Sequence, residues 1–552
     1  MKKQFLVAPL VFAMILCALL FLPDNVPSAQ AQGPQVRGPF VAPPVIPVSF
    51  DGDVRRLPRL RVPGATREIP RPRRAPSAQT VIPTIPNPLP QRAPTRPQLA
   101  TSPLVNFKGL DEITWGGAWP PDPNGDVGPN HYIQAVNLSV GIFSKRGEQL
   151  AAFTFDNFFS GLPGPCGAGL NRGDPIALYD PVSDRWIVSN FAWSDFFAGP
   201  YYECIAVSKT SDPVSGGWWR YAFLADANYL NDYPKLAVWA DGIYMSANMF
   251  NEPGDTDQGV KVWAFNRNEL INGSPLNPVF FTLAPGVSTV LPANLRGDAP
   301  TSGTPEFFAS ISQPNLFHLW KFHADWTIPA NSTFTALADL TVADFAMPCN
   351  AALIFACVPQ LNGESLDGLG DRLRMQLQYR NIAGTDSLWV NHTVSASPFV
   401  GFPTGIRWYE IRDPNGTPTV YQQGTHQPDS NYRWMGSLAV DRFGNMALGY
   451  SVSSASMYPA IRYAGRLASD PVGTLTQGEI SLIEGTGAQS NRFNRWGDYS
   501  AMTVDPTDGC TFWYTNEYYE TTGWNWQTRI GSFMFPGCPH LYILPQIFKS
   551  SP

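Results

Sequence analysis

Between residues 372 and 380 the chain alternates strictly. Leu373, Met375, Leu377 and Tyr379 are apolar, and Arg372, Arg374, Gln376, Gln378 and Arg380 are polar. A period of two places every second side chain on one face, the pattern of a β-strand. Residues 495–519, RWGDYSAMTVDPTDGCTFWYTNEYY, show the larger unit. A short apolar run (499–504) leads into the turn residues Asp505, Pro506, Thr507, Asp508 and Gly509, and an aromatic β-prone run (511–519) follows. Pro presets φ while Asp and Gly accept tight-turn angles, so the segment predicts a β-hairpin. The phrase returns as GDPIALYDPVSDRWIVSNF from Gly173, NDYPKLAVWADGIYMSANMF from Asn231 and RWMGSLAVDRFGNMALGYSVS from Arg433. No long stretch shows helical periodicity.

Gly-Asp or a close equivalent recurs at Asp126, Asp174, Asp232, Asp298, Asp371 and Asp498, and 433–436 fills the gap before the last. These define seven units of roughly 60 residues, longer than the usual propeller repeat and therefore expected to carry long loops. Repeats of four short strands that protect each other's edges predict an all-β fold, a seven-bladed β-propeller over 105–537. Residues 107–114 are placed to add a strand to the last blade and close the ring. Two stacked β-sandwiches are the structural alternative.

The ends of the chain read differently. Residues 1–31 form a secretory signal peptide, with Lys2 and Lys3, an apolar core and the small-residue site Ala29-Gln30-Ala31. After its cleavage no transmembrane segment is expected. Residues 32–104 hold 17 Pro and 11 Arg against three acidic side chains. Such a composition predicts a disordered, extended linker. Residues 538–552 form a short tail whose apolar part (541–549) reads as a final strand or a sorting signal. Residues 105–552 carry 25 basic and 40 acidic side chains, a net charge of −15 that argues against nucleic acid and suits calcium or cationic partners.

Six cysteines remain in the mature chain, an even number that predicts disulfides in an exported protein. Pairing of sequence neighbours is expected: Cys166 with Cys204, Cys349 with Cys357, and Cys510 with Cys538.

If the recurring aspartates open the innermost strands, several carboxylates converge on one mouth of a central channel, with Arg172, Arg296, Arg372, Arg433 and Arg495 near enough in sequence to neutralise them. The same aspartates would also serve as strand caps. Asp174, Asp498 and Glu517 are the candidate catalytic carboxylates, because glycoside hydrolysis needs a pair of them. Asp122, Asn124 and Asp126 place oxygen ligands at alternate positions, as a calcium loop does, although Val127 stands where an EF-hand requires Gly. Arg433, Arg495, Trp434, Trp496, Trp524 and Trp526 are the candidate ligand-binding residues, with Trp524 and Trp526 expected to be exposed among Gly523 and Asn525. Neither a Gly-x-Ser-x-Gly elbow nor a His-Glu-x-x-His pair occurs, which excludes the serine-esterase and zincin readings.

Residues 122–137 (DPNGDVGPNHYIQAVN), the GDPIALYDPVSDRW block and RWGDYSAMTVDPTDGCTFWYTNEY together resemble a family of exported bacterial sialidase-like β-propellers. The resemblance implies a propeller and export. Residues 508–512 are similar to a sialidase Asp-box, one residue shorter, and no Arg-Ile-Pro motif occurs. The sequence therefore reads as a secreted or cell-surface module that binds an extracellular glycan or protein. A sialidase-like glycoside hydrolase is the alternative.

Overall fold

The computed structural model describes residues 35–58, 67–68, 101–251, 256–348, 356–396, 403–490 and 494–538. The expected signal peptide, most of the Pro/Arg-rich stretch, Cys349 and the apolar tail lie outside them. The fold is almost entirely β. Antiparallel sheets of four or five strands follow one another along the chain, most of them simple meanders. Their first strands are Asn124–Val127, Asn171–Asp180, Leu230–Val238, Leu291–Arg296, Arg374–Ile382, Tyr432–Val440 and Ala501–Val504. Each first strand packs against the next, and Ala501–Val504 returns to Asn124–Val127, so the first strands close a ring. That is the topology of a β-propeller. Leu291–Arg296 and Arg374–Ile382 run in the same sense and come close enough to pair in parallel, joining two meanders into an eight-stranded sheet.

The inner strands are buried along nearly their whole length. Apart from the parallel pair, each is also a sheet edge whose amides lack a strand partner, and buried unpaired amides are costly. Polar side chains on neighbouring inner strands supply the missing acceptors. Asn124 Oδ1 accepts from Ala177 N–H at 2.9 Å and Asp126 Oδ2 from Tyr179 N–H at 2.9 Å. Asn294 Oδ1 accepts from Val238 N–H at 3.1 Å, Gln378 Oε1 from Val440 N–H at 2.6 Å, and Ser437 Oγ from Met502 N–H at 2.9 Å. This is why the inner face of a buried strand carries Asn, Asp and Gln.

Aromatic side chains fill the space between sheets. Trp239 meets Tyr379 edge-on at 4.9 Å and Phe307 at 5.6 Å, and Trp389 stacks on Trp408 at 6.2 Å. Cys166–Cys204 and Cys510–Cys538 are disulfides, with Cα atoms 5.7 and 6.0 Å apart. Cys357 is also disulfide-bonded.

The ring is closed by Val105–Asp111, which pairs with Trp526–Phe533 through Val105 opposite Ser532 and Phe107 opposite Ile530. The closing strand ends earlier than expected, because Asp111 caps a one-turn helix, Glu112–Trp115, by accepting from Thr114 N–H at 2.8 Å.

The expected disordered linker over 32–104 needs correction at its start. Val36–Val41 pairs with Val279–Leu283, and Val48–Phe50 pairs with Trp218–Arg220, each as an added outer strand. Val54 is fully buried beyond them. Composition misled because proline is excluded from central strands but tolerated at edges, where one side needs no N–H donor. Val36, Val48, Phe50 and Val54 supply the apolar surface that holds these strands down.

Candidate functional site

Where the first strands begin, the backbone repeats an irregularity. Register shifts fall between Gly173 and Ile176, between Asp232 and Lys235, and between Trp434 and Ser437. Inside them Asp174, Tyr233 and Met435 adopt left-handed φ values of 51°, 56° and 52°, and Asp122 has 47° ahead of the first inner strand. A non-glycine residue in this region costs about 1–2 kcal/mol, so the surroundings must hold it there. The shared element is therefore a bulge, and the residue inside it varies. The sequence alignment of aspartates is corrected accordingly: Asp122, not Asp126, corresponds to Asp174. Asp298 follows its inner strand and is exposed.

These bulges bring Asp122, Asp174 and Asp498 together. Asp122 Oδ1 accepts from Asp498 N–H at 2.6 Å and Oδ2 from Asn137 Nδ2 at 2.8 Å. Asn137 Oδ1 in turn accepts from Asp174 N–H at 2.8 Å. Asp174 Oδ2 accepts from Tyr499 Oη at 3.0 Å and from Tyr233 N–H at 3.1 Å. Glu517 Oε2 accepts from Gly497 N–H at 2.6 Å. Arg495 Nη2 donates to Asp498 Oδ2 at 2.9 Å, and Arg374 Nη1 donates to Asp498 O at 3.1 Å. Arg372 forks onto Asp371 at 2.7 and 2.9 Å and lies over the Tyr233 ring.

Burial, reinforced by the Asp498 charge, pushes Asp122 up to about 7. Burial and the Asp122 and Asp232 carboxylates raise Asp174 well above the usual range, and burial raises Glu517 likewise. Lys235 Nζ sits 3.0 Å from the Tyr233 ring centroid and 3.7 Å from that of Tyr499, donating to Pro234 O at 3.1 Å. Burial lowers its proton affinity, and Asp174 works against that. Burial thus favours the protonated carboxyls, while the hydrogen bonds pin the strand starts to one another.

The three expected catalytic carboxylates are thus assembled in one place. The sequence reading missed Lys235, Tyr233, Tyr499, Arg374 and Asn137. A signal for three of them was present: Asp-Tyr recurs at 232–233 and 498–499, and Lys235 interrupts an apolar run.

The expected calcium loop is not assembled. Asp122 turns to Asn137 and Asp498, whereas Asn124 and Asp126 bond the neighbouring inner strand, and Asp126 is paired with Arg296. Alternation along Asn124–Val127 sends these oxygens to strand amides rather than to a common centre.

Five of the six expected ligand residues are interior. Trp434 and Trp496 pack edge-on at 5.8 Å, both buried. Trp526 is buried and its Nε1 donates to Ala118 O at 3.0 Å, while Trp524 is 49% exposed. Arg433 is fully buried, donating to Asp429 at 2.8 and 3.1 Å and to Glu479 at 2.8 and 3.2 Å. Arg495, also largely buried, belongs to the carboxylate cluster.

No family model and no curated protein sequence matches the chain. Among solved structures it is similar to a protein of unknown function from Dyadobacter fermentans, at 12% identity over 66% of this chain and 95% of that one, with a TM-score of 0.35. It is also similar to an α-L-arabinanase of Penicillium chrysogenum complexed with arabinobiose, at 10% identity over 79% and 99% of the two chains (TM-score 0.34). A Trypanosoma rangeli sialidase in complex with sialic acid aligns at 10% identity over 72% and 57% (TM-score 0.29). Likeness at these scores bears on neither ligand nor chemistry.

Proposed function

We propose that the chain is an exported, seven-bladed β-propeller that works as a binding or surface-interaction module for an extracellular glycan or protein. The observation that carries this reading is the contrast between its carboxylates and its aromatic rings. Asp122, Asp174, Asp498 and Glu517 are 1%, 5%, 8% and 0% exposed, which leaves no pair among these four open to a glycosidic bond. On the same face, loops between second and third strands expose Phe197 at 60% and Trp524 at 49%. Flat rings held at loop tips by a rigid sheet are suited to sugar faces and to protein hot spots. Disulfides and a leading signal sequence support export. Among the described residues no helix is long and apolar enough to cross a membrane.

A glycan array is the first experiment. Trp524→Ala and Phe197→Ala should each weaken binding about tenfold or more, the loss typical of an aromatic anchor, with melting temperatures unchanged. Equal binding by both variants would remove the aromatic face from the reading. Turnover of fluorogenic glycosides that vanishes in Asp498→Asn would replace it with the hydrolase.

A further inference from the structure

A cavity of about 140 Å³ opens between the sheet that begins with Arg374–Ile382 and the one that begins with Tyr432–Val440. It lies by the turn where Ile382 faces Thr385, at the opposite ends of the strands from the carboxylate cluster. Two arginines line it, with one carboxylate between them. Glu410 is 2% exposed and both its oxygens are used: Oε1 accepts from Arg412 Nε at 2.5 Å and Oε2 from Gln422 Nε2. The guanidinium of Arg412 lies 3.2 Å from the Tyr421 ring centroid, and neither of its Nη atoms has a protein partner among the described residues.

Arg466 is 2% exposed. Its Nε donates to Thr474 O at 3.2 Å and its Nη2 to Asp470 O at 2.8 Å, both backbone carbonyls. Its Nη1 has no protein partner among the described residues, and the side chain forms part of the cavity wall. A buried guanidinium with no carboxylate in direct contact is expensive: burial lowers its proton affinity, and the nearby charges of Glu410 and Asp470 offset that only in part. An anion in the cavity would offset that cost. The rim is apolar and open: Tyr421, Phe443 and Val472 are 44%, 43% and 60% exposed.

We propose that this cavity binds a small aromatic monocarboxylate, whose carboxylate accepts from Arg412 and Arg466 and whose ring lies against Tyr421, Phe443 and Val472. The two guanidinium groups outnumber the one carboxylate that lines the cavity and favour an anion, the Nη atoms of Arg412 and the Nη1 of Arg466 suit its oxygens, and the rim selects a flat apolar body. The volume agrees, since a cavity of about 150 Å³ admits a benzene ring. The site is separate from the aromatic face proposed above, so either can fail alone.

Benzoate is the probe, titrated into the full folded chain and followed by ligand-observed NMR and calorimetry, with benzamide and inorganic sulfate as comparisons. Benzoate should bind saturably, and benzamide about tenfold or more weakly, the cost of losing a charge-assisted pair. Arg412→Gln should weaken benzoate to a similar degree. Phe443→Ala, at an exposed position, should weaken benzoate while leaving sulfate unchanged. Absence of saturable benzoate binding at millimolar concentration would overturn the site. So would equal affinity for benzamide, or benzoate binding unchanged in both variants.

Discussion

Raising the pH from about 5 to about 8 is expected to lower the stability of the folded chain by an amount on the order of 5 kcal/mol. Several buried carboxyls act in this sense, Asp174, Glu306 and Glu517 among them, and Asp122 with Glu203 is enough for that amount. Asp122 is raised from 3.8 to about 7, by burial first and by the Asp498 charge second. Glu203 is raised from 4.5 to about 8 by burial, against hydrogen bonds that include one from Asn231 Nδ2 at 3.0 Å. A carboxyl whose folded pKa exceeds its unfolded one keeps its proton in the native state after the unfolded chain has released it. Its contribution is complete below the unfolded pKa and is lost as the pH rises through the folded one, at about 1.4 kcal/mol per pH unit for each group. Both groups act between about pH 4.5 and 7, and Glu203 alone up to about 8. Glu479 has the opposite sign: burial would raise it, but the nearby His426 and the hydrogen bonds from Arg433 outweigh burial and hold it well below its usual value. Its contribution is present above 4.5 and is lost on further acidification. Urea midpoints across this range should therefore peak on the acid side of neutrality. Glu203→Gln should reduce the slope on the alkaline side by up to about 1.4 kcal/mol per pH unit. Midpoints that stay level from about pH 5 to 8 would show that neither carboxyl is protonated in the native state.

Arg433→Met is expected to cost about 3–5 kcal/mol, the penalty for breaking a buried charge network by deleting one partner. The guanidinium donates four hydrogen bonds to Asp429 and Glu479 while fully buried. Glu479 would keep Arg462, whose Nη1 donates to Oε1 at 2.7 Å, and the hydroxyl of Tyr450 at 2.6 Å. The variant should show a lower urea midpoint with an unchanged slope. Adding Glu479→Gln should cost less in the Arg433→Met background than in the wild type, because the lost interaction is shared. A stable variant that had lost glycan binding would restore Arg433 to the ligand role that its place in the sequence suggested.

The all-β character of the chain, its repeated hairpins, the strand that closes the ring and the pairing of Cys166 with Cys204 and Cys510 with Cys538 were legible in the sequence. All of these are written in local signals: alternation of period two, turn residues between β-prone runs, and cysteines close in the chain. The convergence of Asp174 and Asp498 was legible too, since a repeated phrase places its members alike around a ring, whereas Glu517 reaches them from the following strand through its bond to Gly497. What the tertiary structure decided is which member of each repeat faces which neighbour. The bulge at each inner-strand start is a backbone feature filled by Asp174, Tyr233 or Met435, so matching letters picked Asp126 where geometry uses Asp122. Exposure was decided in the same way. Trp524 and Trp526 lie two residues apart, yet one is at a loop tip and the other begins a strand buried against its neighbours. The outer strands at Val36–Val41 and Val48–Phe50 exist only because the sheets they cover left edges open. Local chemistry sets what a segment can become, and burial and long-range partners, absent from any local window, select among those outcomes.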